Sequence, residues 1–281
     1  PINYEDNSYE KIQVLLDNFL ERNKIPTSYL SGFLIEENTD YALKIKEKIY
    51  TISEIQEINK RLYIPIQSKE IFNSLGRGTA ILEFEKQLLA YMYSHGQKHI
   101  AKLKDAFSYI NEDLKEVNII DWGCGQGIAS KSYLDFFGSN QVKSIVLIEP
   151  SVSALKRAAL HVNNEVENIK TINKEFDFIE EIDLEGISSS DRIDIHLFSN
   201  VIDMDFFDLS KLIALIKKSF KGVQYFFVIS PHIDASKTER INLFTEKLIN
   251  NNGVLLFNET KSKGNWINGW SKVIRIFKVH I

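Results

Sequence analysis

One short stretch of this 281-residue chain holds most of its recognisable chemistry: Asp121-Trp122-Gly123-Cys124-Gly125-Gln126-Gly127. Glycines at alternate positions, Gly123, Gly125 and Gly127, permit positive φ and let a ligand approach the main chain with no Cβ in the way. The run before them, Val117 to Ile120, is apolar and rich in β-branched residues, as a buried parallel strand is. Ile128 to Phe136 can open a helix. A strand, a tight glycine turn and a helix start together make a ligand cradle. Spacing excludes two versions of it. The dinucleotide fingerprint G-x-G-x-x-G would need glycine or alanine where Ile128 stands, and a phosphate-binding loop would need a following Gly-Lys-Ser/Thr.

A second feature lies about one βα unit further on. Ile145 to Ile148 again reads as a strand, with Glu149 at its carboxyl end and Pro150-Ser151 as a helix start, Ser151 capping Val152 to His161. A carboxylate at that place can accept hydrogen bonds from both hydroxyls of a ribose. The pattern D-x-G-x-G-x-G, followed at this separation by an acidic residue, closely resembles motif I and its partner acid in the class I (Rossmann-like) S-adenosylmethionine-dependent methyltransferases. The resemblance covers about residues 117–281. It implies S-adenosylmethionine as cofactor, held by Asp121, Gly123, Gly125 and Gly127, with Glu149 gripping the ribose. By position after the third strand, Asn173 would face the adenine, although many members of the family carry an acidic residue there. The segment His196-Leu197-Phe198-Ser199-Asn200-Val201-Ile202-Asp203 resembles the Asn-Val-Leu segment beside the methyl donor. Ser199 and Asn200 are therefore expected at the junction of cofactor and acceptor.

Methyl transfer is an in-line displacement from a good leaving group, so a protein contributes mainly alignment, worth up to about 7–11 kcal/mol, and proton removal where the acceptor is weak. His196, Asp203 and His232 are the candidate bases. His196 lies inside a strand run and reads as a hydrogen-bonded core residue. His232 follows Pro231, which ends the fifth strand, so His232 is the expected base, with Asn200 beside the reacting centre. The resemblance also excludes some acceptors. DNA amino-methylating relatives carry Asp/Asn-Pro-Pro-Tyr/Phe where this chain has Ser199-Asn200-Val201-Ile202, and a C5-cytosine enzyme needs a nucleophilic cysteine. The only cysteine, Cys124, sits inside the glycine turn and reads as a small residue fitting it.

RNA, protein and small molecules remain open as acceptors. From Lys261 to the end the chain carries Lys261, Lys263, Lys272, Arg275 and Lys278 with Trp266 and Trp270 and no acidic residue, a mixture that could track a nucleic-acid backbone or form a solvated strand face. In the family, the helix before the first strand often closes over the methionine end of the cofactor, which draws attention to Tyr91, Tyr93 and His95. His95 and His99 have a spacing able to present two imidazoles to a metal, but no further ligands accompany them and no metal is expected. A non-catalytic S-adenosylmethionine-binding module, or a scaffold whose helical half binds a protein partner, stands as the alternative, because a fold does not establish an activity.

The elements that must position these residues divide the chain in two. Residues 1–112 show helical periodicity over Tyr9–Asn23, Thr27–Glu36, Tyr41–Leu62, a helix after Thr79 ending near Gly96, and Ala101–Ile110. They read as an all-helical domain preceding a methyltransferase domain at 113–281. There strands are expected at 117–121, 144–149, 168–173, 193–198 and 223–229, alternating with helices, then a terminal hairpin from Val254–Asn258 and Lys272–Val279. The expected fold class is α/β: a doubly wound, mostly parallel seven-stranded sheet. With 44% hydrophobic residues and a net charge of −4, the chain can bury a full core and has no overall attraction to nucleic acid or anionic membrane. A single cysteine, no apolar run long enough to span a bilayer and an N-terminus unlike a signal peptide point to a cytoplasmic protein without membrane contact.

Overall fold

In the computed structural model the centre of the sheet is strand β1, Val117–Trp122, buried along its whole length. The structure describes residues 34–182, 184, 186–187, 192–250 and 252–281; the helix expected at Tyr9–Asn23, and nearly all of that at Thr27–Glu36, lie outside these residues. Alternate residues of β1 serve opposite faces, as the strand period requires, Ile119 entering one core and Ile120 and Trp122 the other. Strands β2 (Val142–Ile148), β3 (Ile169–Ile172), β4 (Ile193–Ser199) and β5 (Val223–Ser230) are parallel to β1. Strands β6 (Gly253–Lys261) and β7 (Lys272–His280) form the terminal hairpin, with β7 antiparallel to β5. The seven strands run in the order β3-β2-β1-β4-β5-β7-β6. Chain order reverses between β1 and β4, and a ligand crevice opens at that switch point.

N-terminal to β1 the described chain is helical: α1 (Asp40–Lys46), α2 (Ile52–Tyr63), α3 (Lys69–Asn73), α4 (Glu85–Tyr91) and α5 (Gln97–Phe107). The run expected at Tyr41–Leu62 is two helices, because Thr51 and Glu54 form a capping box that starts α2 afresh. The helix expected to follow Thr79 begins only at Glu85. Residues 79–84 stay irregular because the hydroxyls of Ser151 and Ser153 donate to the carbonyls of Leu82 and Glu83. Gly96 does not end a helix either. Met92–Gly96 is a π-helical turn that carries α4 into α5, and a Cβ at Gly96 would sit 2.8 Å from Met92 Sδ.

After β1 come α6 (Ile128–Phe137), α7 (Val152–Val162), α8 (Leu209–Ser219) and α9 (Ala235–Ile249). On one face of the sheet, Tyr41, Ile52, Leu103 and Phe107 share a core with Tyr133 of α6 and Leu155 of α7. On the other, Leu212 and Ile216 of α8 and Phe244 of α9 pack against Trp122, Phe198 and Phe277. Arg157 of α7 is fully buried; it donates to Glu36 at 2.6 and 2.7 Å and lies 3.9 Å above the Tyr41 ring. No helix of the described residues is long and apolar enough to cross a membrane.

Candidate functional site

The turn after β1 places its glycines for different reasons. Gly125 has φ +52°, and a Cβ built there would meet nothing within 4 Å, so its backbone borders open space. Gly127, at φ +74°, heads α6, and a Cβ would lie 3.0 Å from Ala158 Cα, so its role is the close approach of α6 to α7. At Gly123 the obstacle would be Val201 Cγ2 at 2.7 Å. The open space beside Gly125 is a cavity of about 310 Å³ bordered by Gly123, Gly125, Glu149 and Ser199, with Leu82 and Tyr91 from the helical half. That size lies within the range of small-molecule and cofactor sites.

Glu149 is fixed across this cavity. One carboxylate oxygen accepts from Gly125 N at 2.9 Å and the other from Ser151 N at 3.0 Å. Burial pushes its pKa up to about 7, against the pull of those two amides. Asp121 stands behind the turn, fully buried, where one oxygen accepts from Ser130 N at 3.1 Å and Ser130 Oγ at 2.7 Å; burial raises its pKa to about 6. Its other oxygen has no hydrogen-bond partner. The turn is also clamped from the helical half. Asn59 Nδ2 donates to Tyr41 Oη, Tyr41 to His161 Nε2, and His161 Nδ1 to Gln126 O, each at 2.8 Å. This arrangement of protons requires a neutral His161, and burial does hold its pKa down to about 3. Gln126 Nε2 in turn donates to Leu88 O at 3.0 Å.

A second cavity, about 520 Å³, adjoins the first and shares with it the walls Gly78, Thr79, Tyr91, Asn200, Met204 and Phe206. Asn200 stands between them at φ +60°, its N–H bonded to Ile229 O at 2.8 Å. Its Oδ1 accepts from Lys102 Nζ at 2.6 Å, and its Nδ2 lies 3.1 Å from the His99 ring nitrogens. Lys102 is 3% exposed. Burial lowers its pKa to about 7, with Asp203 opposing and Lys98 adding to the shift, and burial also keeps His99 well below the usual histidine range.

The structure thus gathers Gly123, Gly125, Glu149, Ser199, Asn200 and Asp203 around adjoining cavities and sets Asp121, Gly127, Asn173, His196 and His232 outside their walls. Asn173 is exposed, and its amide donates to Glu149 O at 3.0 Å and Pro150 O at 2.8 Å, fastening the loop behind the acid. His232 is half-buried with its carbonyl accepting from Ser271 Oγ at 3.2 Å, while its neighbours Pro231 and Ile233 line the second cavity. His196 is a core residue: Trp122 Nε1 donates to its Nδ1 at 3.1 Å and its Nε2 donates to Gln224 Oε1 at 2.8 Å. Tyr91 lines both cavities and His95 the second, whereas Tyr93 packs against Tyr63. Among the described residues no three His, Cys, Asp or Glu side chains come together as a metal would need.

The basic tail is largely spent on internal partners. Lys272 is buried and paired with Asp105 and Glu259, Arg275 donates to Asn242 Oδ1, Glu259 O and Thr260 Oγ1, Lys278 pairs with Glu112, and Lys261 with Glu259. Lys272 and Lys278 share one face of β7 and Arg275 the other, as an even and an odd separation dictate.

Residues 113–276 match the model of a family described as a methyltransferase domain. Among solved structures, the chain is similar to a SAM-dependent methyltransferase from Aquifex aeolicus at 13% identity; the match covers 69% of this chain and 99% of that one, with a TM-score of 0.45. An arsenic(III) S-adenosylmethionine methyltransferase from Chlamydomonas reinhardtii matches at 15% identity over 66% of this chain and 73% of that one, with a TM-score of 0.38. A SAM-dependent methyltransferase from Leishmania major matches at 9% identity over 77% of this chain and 85% of that one, with a TM-score of 0.43. No curated protein matches the sequence.

Proposed function

The chain belongs to the methyltransferase-domain family and is an S-adenosylmethionine-dependent methyltransferase, and from that premise we propose how its residues divide the work. The cavity beside Gly125 takes the cofactor. Glu149 receives the ribose hydroxyls, the Gly123–Gly125 backbone lies along the ligand, and Ser199 and Asn200 border its reacting end. When bound, S-adenosylmethionine supplies an electrophilic methyl group on a sulfonium. The adjoining cavity on the far side of Asn200 takes the acceptor, with the turn at Gly78–Thr79 and Tyr91 closing over both. Asp121 acts indirectly, by holding the first turn of α6 through Ser130.

The observation that carries this reading is the empty space at the Gly125 Cβ position facing a buried carboxylate that is already oriented by backbone amides. A left-handed glycine with nothing beside it and an acid held at the cavity wall fit a nucleoside ligand and serve no packing purpose. The Asn173 amide supports the Glu149 loop, and His232 keeps the role of proton acceptor only if the 230–234 loop turns its ring inward. The helical half contributes the cavity roof and is the surface for any protein partner; the acceptor is a small molecule in preference to RNA, since Lys261, Lys272, Arg275 and Lys278 are taken up by internal partners and Lys263 borders the second cavity. The single unpaired thiol, Cys124, is in keeping with a cytoplasmic location. Calorimetry with S-adenosylhomocysteine and with NAD tests the reading. One S-adenosylhomocysteine should bind per chain, and Gly125→Val should abolish it. Tighter binding of NAD would replace this reading with a dinucleotide one.

A further inference from the structure

Cationic side chains are unevenly placed in this acidic chain. The second cavity is lined by Lys98, Lys102, Lys237 and Lys263 against Asp203 and Asp205. Lys237 is neutralised by Asp205 at 2.7 Å, and Asp203 is buried, accepting from Ser230 Oγ at 2.8 Å. Among the described residues, Lys98, Lys102 and Lys263 have no carboxylate within ion-pairing distance. Lys102 is the telling one. It is buried at the floor with a neutral amide, Asn200 Oδ1, as its hydrogen-bond partner. Buried ammonium groups are ordinarily paired, because an uncompensated charge away from water is costly. Trp270, Ile233 and Phe206 give the same cavity an apolar side.

We infer that the second cavity is built for an anionic organic acceptor, whose carboxylate or phosphate group meets Lys102 at the floor and Lys98 and Lys263 at the rim while its carbon skeleton lies against Trp270 and Ile233. This rests on the assignment of the first cavity to the cofactor, and deepens it by naming the class of acceptor. Cations gathered around one cavity, with the β7 cations held by internal partners elsewhere, suit a small molecule better than an extended polynucleotide backbone, which needs a track of charges. A cationic acceptor would meet repulsion from the rim lysines Lys98 and Lys263 and would keep Lys102 neutral. The groups facing Lys102 are Lys98 and His99 on its own helix, His95 and Tyr91 on the preceding turns, and Asn200 and Asp203 after β4. Asp203 alone among them is acidic, so an arriving anion should raise the proton affinity of Lys102.

The test uses protein saturated with S-adenosylhomocysteine, titrated with benzoate, inorganic phosphate and, as the neutral counterpart of benzoate, benzamide. Benzoate or phosphate should bind, at least about tenfold more tightly than benzamide, with affinity falling as salt rises. Binding at pH 8 should take up a proton, seen as a difference in heat between two buffers. Lys102→Met should weaken anion binding at least about tenfold and abolish the proton uptake, and the exposed rim variant Lys263→Ala should weaken it by a smaller factor. Benzoate in preference to phosphate would mark a carboxylate acceptor, and the reverse a phosphorylated one. Binding of benzamide as tight as that of benzoate, no anion binding at millimolar concentration, anion binding unchanged in Lys102→Met, or single-stranded RNA binding that is insensitive to Lys102→Met would overturn the inference. Loss of S-adenosylhomocysteine binding by the wild-type protein would instead overturn the cofactor reading on which it stands.

Discussion

Glu149 makes cofactor binding pH-dependent. Its carboxyl is raised from 4.5 to about 7 by burial. Because the folded pKa lies above the unfolded one, the stability this group contributes is fully present below pH 4.5 and is lost as pH rises through about 7. At about 1.4 kcal/mol per unit, the ligand-free protein carries a strain of about 3 kcal/mol once Glu149 is ionised. Ribose hydroxyls donate to the ionised carboxylate and relieve part of it, so binding favours proton release. S-adenosylhomocysteine affinity should be level above about pH 8 and fall by about tenfold from pH 8 to pH 6. Glu149→Gln cannot ionise, so its affinity should be flat over that interval and lower at pH 8 by about 10–100-fold, the worth of charge-assisted hydrogen bonds. Calorimetric titrations of both proteins at several pH values measure this. A wild-type affinity that does not change with pH, or an equal slope in Glu149→Gln, would refute the assignment of the ribose to this carboxylate.

Three further substitutions separate the cradle from its supports. Gly125→Ala should cost the ligand-free protein about 1–2 kcal/mol of left-handed strain and remove S-adenosylhomocysteine binding, whereas Gly127→Ala should destabilise by about 1–3 kcal/mol through its contact with Ala158; thermal unfolding with and without ligand distinguishes them, and similar behaviour of the two would contradict a ligand-facing Gly125 and a packing Gly127. Arg157→Met leaves Glu36 and Glu85 without their shared partner and should cost about 3–5 kcal/mol, read as a lower urea midpoint; an unchanged midpoint would mean that the Arg157 pairs do not help hold the helical half to α7.

The sheet is legible in the sequence because parallel strands covered on both faces read as short runs rich in apolar β-branched and aromatic residues, and each run at Val117, Ile145, Ile193 and Val223 falls within an observed strand. The cofactor cradle is legible because a glycine turn and an acid one βα unit later are local patterns. The acceptor side is not. Lys102 sits among Lys98 and Lys104 on a helix whose pattern suggests a solvated face, and its burial comes from the loop at Asn200, 98 residues away. The tail misleads for the same reason: Lys272 meets Asp105 across 167 residues, so no local pattern marks it as spent. Gly127 reads as a ligand contact although its constraint is Ala158, since sequence registers that a glycine is present and only packing distinguishes why. Residues 79–84 carry a helical spacing of apolar side chains, and the serines that capture their carbonyls lie at the head of α7.

The most direct measurement of the central claim is a crystal structure with S-adenosylhomocysteine bound. The ribose hydroxyls should lie on the Glu149 carboxylate, the ligand against the Gly123–Gly125 backbone, and the sulfur should be directed past Ser199 and Asn200 into the cavity floored by Lys102. A ligand bound away from Glu149, or one whose sulfur faces a closed wall and not that second cavity, would contradict the claim.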